Sequence, residues 1–373
     1  MSKTRVIILF GGRSAEHEIS LLSARNVVAA LDRARFEPVL IGIDRRGGWH
    51  RESERTLGAA AGDPRALALD PAAPPVAIEE ALAPSVAAHE TTLVGLSEDD
   101  VVFPVLHGTF GEDGTVQGLL ELAGVAYVGA GVLGSAVGMD KDVAKRLLRD
   151  AGIPVVDFAV VTAAGFARDP DAALAAAGGL GDYPLFVKPA NAGSSVGVSK
   201  VRSAGALADA VRAALAFDRK VLIERGIDAR EIECAVLGND QPEASVPGEI
   251  LVHHPDGFYS YDAKYVDAEG SSWKIPADVP ADTAARVRAL AVSTFKTLEL
   301  AGMARVDFFL ARDTGALYVN EVNTIPGFTA ISMYPKMWEA SGLSATALVT
   351  RLVELAIERR DARRALKTSV NTR

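Results

Sequence analysis

Asp307, Glu321 and Asn323 are oxygen-bearing side chains set around one turn, and Arg305 stands two residues before the first of them. The stretch 305–327 reads R-V-D-F-F-L-A-R-D-T-G-A-L-Y-V-N-E-V-N-T-I-P-G, in which two apolar runs flank Asp313-Thr314-Gly315. That is the pattern of a β-hairpin. Antiparallel pairing sets the start of one strand beside the end of the other, which brings Asp307 next to Glu321 and Asn323. Being two residues apart, Glu321 and Asn323 share a strand face. Hard oxygen ligands with no His or Cys among them suit Mg²⁺, which takes one or two carboxylates and fills its octahedron with water and phosphate oxygens. They suit zinc poorly. A surface hairpin whose acids are merely solvated is the alternative.

The elements that must position this hairpin follow from the apolar periodicity. Arg5 to Phe10 reads as a buried strand, Gly11-Gly12-Arg13-Ser14-Ala15-Glu16 as a turn, and Ile19, Leu22, Val27, Ala30 and Leu31 as one helical face. Strand, glycine turn and helix open a doubly wound α/β layer, whose ligands gather at the carboxyl ends of its strands. The turn is not G-x-G-x-x-G, so it signals no dinucleotide site. Val101 to Leu106 forms another strand and ends at His107 in a glycine-rich turn, a candidate site residue. Asp140 caps a helix that stops at Gly152. The strand 184–189 carries Lys188, and Asn191-Ala192-Gly193-Ser194-Ser195-Val196-Gly197 after it is a tip of small residues suited to covering phosphates. No G-x-x-x-x-G-K-[ST] occurs, which excludes a P-loop. Glu224 and Glu231 stand at the junctions of two further strands, where backbone and carboxylate together would suit adenine and ribose. The expected last helix runs from about Ser344 to Arg359, with a frayed polar tail from Asp361. The Ala/Pro-rich stretch 58–88 reads as a loop or loosely packed insertion without chemistry.

Composition narrows the classes. A chain of 373 residues with 49% hydrophobic and 23% charged residues has room for two or three globular domains. Its formal charge of −9 argues against a nucleic-acid surface, so an anionic substrate must be met by local lysines and arginines. A single cysteine, Cys234, rules out an internal disulfide framework and fits a reducing cytoplasm. No apolar run approaches the roughly 18 to 20 residues of a membrane span, and the N-terminal apolar run reads as a strand, not a signal peptide.

The set G-G-R-S-A-E-H-E-I-S (11–20), H-G-T-F-G-E-D-G (107–114), K-P-A-N-A-G-S-S-V-G (188–197), A-K-Y (263–265) and N-E-V-N-T-I-P-G-F-T (320–329) resembles the D-alanine–D-alanine ligases, ATP-grasp enzymes of peptidoglycan synthesis. The motifs run in the family's order over roughly residues 3 to 358, departing mainly in the 58–88 insertion. The resemblance implies an α/β ATP-grasp fold: a doubly wound N-terminal domain (1–138), a central ATP-grasp subdomain (139–227) and a C-terminal metal-binding domain (228–373), the last two sandwiching ATP. Lys141 and Lys188 would contact phosphates, with Ser195 in the lid over them, while Glu224 and Glu231 would hold adenine and ribose. Asp307, Glu321 and Asn323 would ligate two Mg²⁺ (or Mn²⁺), Glu321 bridging.

For the amino acids, the resemblance makes Glu16 the anchor of the first D-alanine's ammonium, with His107 close by, while Ser194 and Tyr265 would tie two mobile loops to Glu16. Lys264 and Ser332 would reach the phosphate and the second substrate's carboxylate, with Met333 near that pocket. Arg305 and the Gly327 amide would hold the oxyanion. A cytoplasmic homodimer acting on D-alanine and ATP, with no nucleic-acid or membrane partner, is the corresponding expectation. The alternatives on the same fold are a D-lactate- or D-serine-accepting ligase, against the first of which Tyr265 speaks, and a non-catalytic nucleotide-binding relative.

Overall fold

The computed structural model describes residues 3–58, 68–76, 96–253 and 271–367 of the protein. Three sheets organise them. The first has the order β4-β3-β2-β1-β5-β6, with β1 (Thr4–Gly11) parallel to β2 (Phe36–Ile43) and β5 (Val101–Val105), and β5 parallel to β6 (Ala126–Tyr127). Its antiparallel edge is β3 (Trp49–Glu52) and β4 (Pro75–Val76). The short β4 is the ordered contribution of the Ala/Pro-rich stretch among the described residues.

From Val6 to Phe10, β1 is continuously apolar because both its faces are covered there. Val6, Ile8 and Phe10 point into a core shared with Leu21, Ala24 and Val27 of the helix His17–Ala30. Ile7 and Leu9 point the other way, against Val116 and Leu120 of the helix Thr115–Ala123. That helix ends as its sequence says, on Gly124 in the left-handed conformation.

The second sheet is antiparallel, in the order β7-β10-β8-β9. Its strands are β7 (Phe158–Thr162), β8 (Leu185–Pro189), β9 (Ser199–Val201) and β10 (Lys220–Arg225). Leu185 and Val187 of β8 and Val221 and Ile223 of β10 are buried with Leu207 and Val211 of the helix Leu207–Ala214. Strand alternation therefore turns Lys188 and Glu224 to the opposite face.

In the third sheet the order is β14-β13-β11-β15-β16, and β12 (Glu243–Ala244) pairs with β11 (Ala229–Gly238). The other members are β13 (Gly248–Val252), β14 (Ser271–Lys274), β15 (Gly302–Ala311) and β16 (Leu317–Asn323). Ile232, Cys234, Val306 and Phe308 face the helix Ala281–Thr297 and pack with its Val287, Ala291 and Phe295. The same alternation sends Glu231, Glu233, Arg305 and Asp307 to the other side.

Residues 361–364, the start of the expected frayed tail, are instead helical. The last helix runs Ala345–Arg364 and buries Leu348, Leu352 and Val353 in the core that also holds Val6, Ile8 and Phe10. Its polar end is tied down: Arg359 Nη2 donates to the Tyr127 carbonyl and Arg364 Nη2 to the Gly124 carbonyl, each at 3.0 Å. Arg364, which falls in the expected frayed tail, is thus a partner for a backbone carbonyl near the edge of the first sheet, as is Arg359 at the end of the expected helix. No single helix among the described residues is long and apolar enough to cross a membrane.

Candidate active site

The open faces of the second and third sheets meet in a cleft of about 410 Å³ lined by Lys141, Lys188, Glu231, Arg305, Asp307 and Glu321, among others. Its volume lies in the range of small-molecule sites. The connector Gly226–Asp228, between β10 and β11, also lines it and offers backbone groups.

On the hairpin side, Asp307 pairs directly with Glu321 and Arg305 with Asn323, and the ladder shifts register between Asp307 and Phe308. Asn323 Nδ2 donates to Asp307 Oδ2 at 2.9 Å. The predicted convergence of Asp307, Glu321 and Asn323 is therefore present in the ladder. Arg305 is bound more tightly into it than its sequence position suggests. Its Nε and Nη2 donate to Asp307 Oδ1 and Oδ2, both at 2.7 Å, and its Nε lies 3.0 Å from Glu233 Oε2. Burial alone would lower the Arg305 pKa, but Asp307 and Glu233 outweigh it and hold the guanidinium well above its usual value. This cation stays charged at any working pH.

The opposite wall holds the lysines. Lys188 Nζ lies 2.6 Å from Glu224 and donates to Asn320 Oδ1 at 3.1 Å. Lys145, one helical turn after Lys141 on the helix Lys141–Asp150, reaches the same carboxylate at 2.7 Å. Burial opposes ionisation of Glu224, yet Lys145 and Lys188 together pull its carboxyl down to about 2. The charge of Lys188 is reinforced in turn: burial lowers its pKa, Glu224 raises it, and the net movement is upward. Lys145, sealed from solvent, moves down because of burial. Lys141 Nζ donates to the Ala192 carbonyl at 2.8 Å and lies 3.2 Å from Glu321, so it joins the lid turn to the hairpin. The base of its helix is pinned by the Asp140 side chain, which caps it, and by Lys220, which binds Asp140 and Asp142.

Glu16 stands where the helix His17–Ala30 begins but does not cap it; instead its Oε1 accepts from the Ser194 hydroxyl. Its carboxylate lies in a slot that two glycines keep open. A Cβ at Gly108 would stand 2.8 Å from Glu16 Oε2, and one at Gly193 would stand 2.9 Å from it. Ser194 and Ser195 take left-handed φ values of 52° and 59°, which non-glycine residues adopt only against strain. The tip thus spends conformational energy on bringing Ser194 to Glu16.

His107 follows β5 and is buried; burial, against the pull of nearby Glu16, lowers its pKa and leaves the ring neutral. Its Nδ1 lies 3.1 Å from the Ile325 carbonyl and its Nε2 3.1 Å from Ser23 Oγ. A carbonyl only accepts, so Nδ1 carries the proton. Glu112 in the same turn is buried, and burial with the charge of Glu16 pushes its carboxyl up to about 8. Ser332 Oγ accepts from the Thr329 N–H at 2.9 Å and closes the turn after Gly327. Met333 is 4% exposed and packs in the core with its methyl against Gly248, so it supports the loop from beneath. Lys264 and Tyr265 lie outside the described residues.

Among the described residues, no three His, Cys, Asp or Glu side chains gather as a metal cluster. Two carboxylates and an amide are the donor set at the hairpin, and that fits Mg²⁺, which completes its shell with water and phosphate oxygens.

Several contributors carried no signal that single-residue reading would select. Lys145 and Glu233 repeat a residue type already singled out, at helical spacing from Lys141 and strand spacing from Glu231. That periodicity would have found them. Ser23, Asn26, Glu112 and Asn320 act through contacts distant in sequence and had no such cue.

Comparison with known proteins agrees with this geometry. Residues 5–130 match the family model described as D-ala D-ala ligase N-terminus, and residues 147–354 the one described as D-ala D-ala ligase C-terminus. D-alanine–D-alanine ligase A of Salmonella typhimurium and that of Escherichia coli are each 50% identical to this chain, covering 99% of it and 100% of their own length. The solved D-alanine–D-alanine ligase of Coxiella burnetii superposes with a TM-score of 0.80 at 39% identity, covering 98% of this chain and 97% of its own. A D-Ala:D-Ser ligase from Enterococcus faecalis also reaches 0.80, at 34% identity, over 95% of this chain and 100% of its own. With its second and third sheets closing on an ATP-grasp cleft, and with full-length relatives of this kind, the chain belongs to the D-alanine–D-alanine ligase family.

Proposed function

We propose that this enzyme joins two D-alanines into D-alanyl-D-alanine for peptidoglycan precursors, consuming ATP and passing through an acyl phosphate. The observation that carries the reading is the convergence of Lys188, Arg305, Asp307 and Glu321 on one cleft. A carboxylate attacking the γ-phosphate brings anions together, so fixed positive charge must meet the transferring group. Lys141 and Lys188 supply it from one wall and Arg305 from the other. Adenine lies against the backbone of the connector 226–228, and Glu231 takes the ribose hydroxyls. Glu224, expected beside adenine, is paired with Lys145 and Lys188 and orients Lys188 from behind. Asp307, Glu321 and Asn323 would hold two Mg²⁺ (or Mn²⁺), which would supply Lewis-acid charge to the phosphates.

The first D-alanine places its ammonium on Glu16, beside neutral His107. Its carboxylate receives the phosphoryl group, and Ser194 on Glu16 keeps the tip closed so that water does not hydrolyse the acyl phosphate. Lys264 and Ser332 reach the phosphate and the second substrate's carboxylate, and Tyr265 closes the second loop. When the second amine attacks, Arg305 and the Gly327 N–H receive the oxyanion. No side-chain nucleophile is required, and Cys234 is core. Three units, 1–138, 139–227 and 228–373, a homodimer and a cytoplasmic location complete the proposal.

The test is phosphate release from ATP with D-alanine alone, with L-alanine, and with D-alanine plus D-lactate or D-serine, the product being identified by mass. D-Alanine alone should give the dipeptide. A product formed only with D-lactate or D-serine, or no release with D-alanine, overturns the reading.

A further inference from the structure

The segment 324–328 has no regular structure, yet it carries the Gly327 amide between the last strand of the third sheet and the helix Met333–Ala340. Its two flanks are held by side chains of the layer around the first sheet. At Ile325, the N–H donates to Glu112 Oε1 at 3.0 Å and the carbonyl accepts from His107 at 3.1 Å. At Phe328, the N–H donates to Ser23 Oγ at 3.2 Å and the carbonyl accepts from Asn26 Nδ2 at 2.7 Å. Ser23 also bonds His107 Nε2 at 3.1 Å, so the two grips form one chain of hydrogen bonds. Glu112 Oε2 accepts the Gly108 N–H at 2.7 Å, which fastens the grip to the turn that borders Glu16. Both backbone polar groups of each flanking residue are thus taken by side chains from the helix His17–Ala30 and the turn after β5. The Gly327 N–H itself has no partner among the described residues.

The geometry points to Glu112, assisted by Asn26 and Ser23, as a positioning residue that sets the Gly327 amide where the oxyanion of the second step forms. Glu112 touches no reacting atom; its reach is through Ile325. The inference rests on the ligase reading and adds to it a residue with no assigned part. Buried backbone donors keep their place only while an acceptor holds them. An amide displaced by about 1 Å loses on the order of 10²-fold in rate. The loss falls on the step that needs the oxyanion donor. Phosphoryl transfer to the first D-alanine depends on the lysines, the hairpin and Glu16; Glu112 bonds none of these side chains and reaches Glu16 only through the Gly108 turn.

The experiment compares Glu112→Ala with the wild-type enzyme in three measurements: MgATP affinity, dipeptide formation and phosphate release. Wild-type enzyme that forms dipeptide establishes the ligase reading separately. The variant should bind MgATP as before, make dipeptide about 10²-fold more slowly, and release more than one phosphate per dipeptide, because stranded acyl phosphate hydrolyses. Glu112→Gln, which keeps one acceptor oxygen for the Ile325 N–H, should recover part of the coupling. Asn26→Ala, half-buried on its helix, should uncouple in the same direction and is the readout if Glu112→Ala does not fold. Dipeptide and phosphate falling together in proportion, or an unchanged ratio in both Glu112→Gln and Asn26→Ala, overturns the assignment.

Discussion

Glutamine in place of Glu224 should expose how the nucleotide cleft keeps its charge in order. The Glu224 carboxylate is 2% exposed and lies 2.7 Å from Lys145 and 2.6 Å from Lys188, so the substitution leaves two buried ammonium groups side by side. Removing one partner of a buried pair costs about 3 to 5 kcal/mol. The titration gives a similar size. The carboxyl sits at about 2 in the folded protein against an ordinary 4.5, and at about 1.4 kcal/mol per factor of ten in proton affinity that amounts to about 3 kcal/mol. The sign follows from a lowered pKa. This contribution is present in full above pH 4.5 and is lost as the pH falls towards 2. Urea unfolding of both proteins at pH 7 and at successively lower pH should therefore show Glu224→Gln less stable at neutrality and the two curves converging on acidification. MgATP should return more stability to the variant than to the wild type, since phosphate oxygens replace the missing counter-charge for Lys188. Equal stability at pH 7, or a gap that stays constant down to about pH 3, would refute the reasoning.

Other outcomes follow from the same geometry. Arg305→Ala should lower kcat by about 10²-fold or more, the scale of losing one oxyanion donor, with MgATP affinity changing much less; steady-state kinetics beside nucleotide titration separate the two. Glu321→Gln should abolish Mg²⁺-dependent turnover, and wild-type rates at saturating Mg²⁺ would defeat that ligand assignment. Gly193→Ala should raise KM for D-alanine, because the new Cβ would stand 2.9 Å from Glu16 Oε2. Cys234, its thiol pushed up to about 12 by burial, should stay unreactive towards thiol reagents at pH 8 until the protein unfolds.

The sequence alone determined the chemistry-bearing hairpin and the strands and helices of clear apolar periodicity; strands such as Phe158–Thr162 and Gly248–Val252 do not stand out in it. Apolar alternation in 306–311 and 231–236 is a local signal, and it dictates that Arg305, Asp307, Glu231 and Glu233 share the face opposite the helix Ala281–Thr297. The turn Asp313-Thr314-Gly315 brings Asp307 beside the end of the partner strand, but its register alone would set Asp307 opposite Asn320; the shift between Asp307 and Phe308 is what places it opposite Glu321. Family motifs added the roles of Glu16, Ser194 and Lys188. Only the tertiary structure decided how the three sheets share these groups. Lys145 and Glu224 are 79 positions apart in the chain, and nothing in either neighbourhood says that one ammonium will balance the other. Glu112 and Ile325 meet across |i−j|=213. Arg359, at the end of the expected last helix, and Arg364, in the expected frayed tail, are held by carbonyls more than 200 residues earlier. Periodicity records which way a side chain points from its own strand or helix; which group waits for it there depends on how separately formed layers pack, and that is a property of the folded chain.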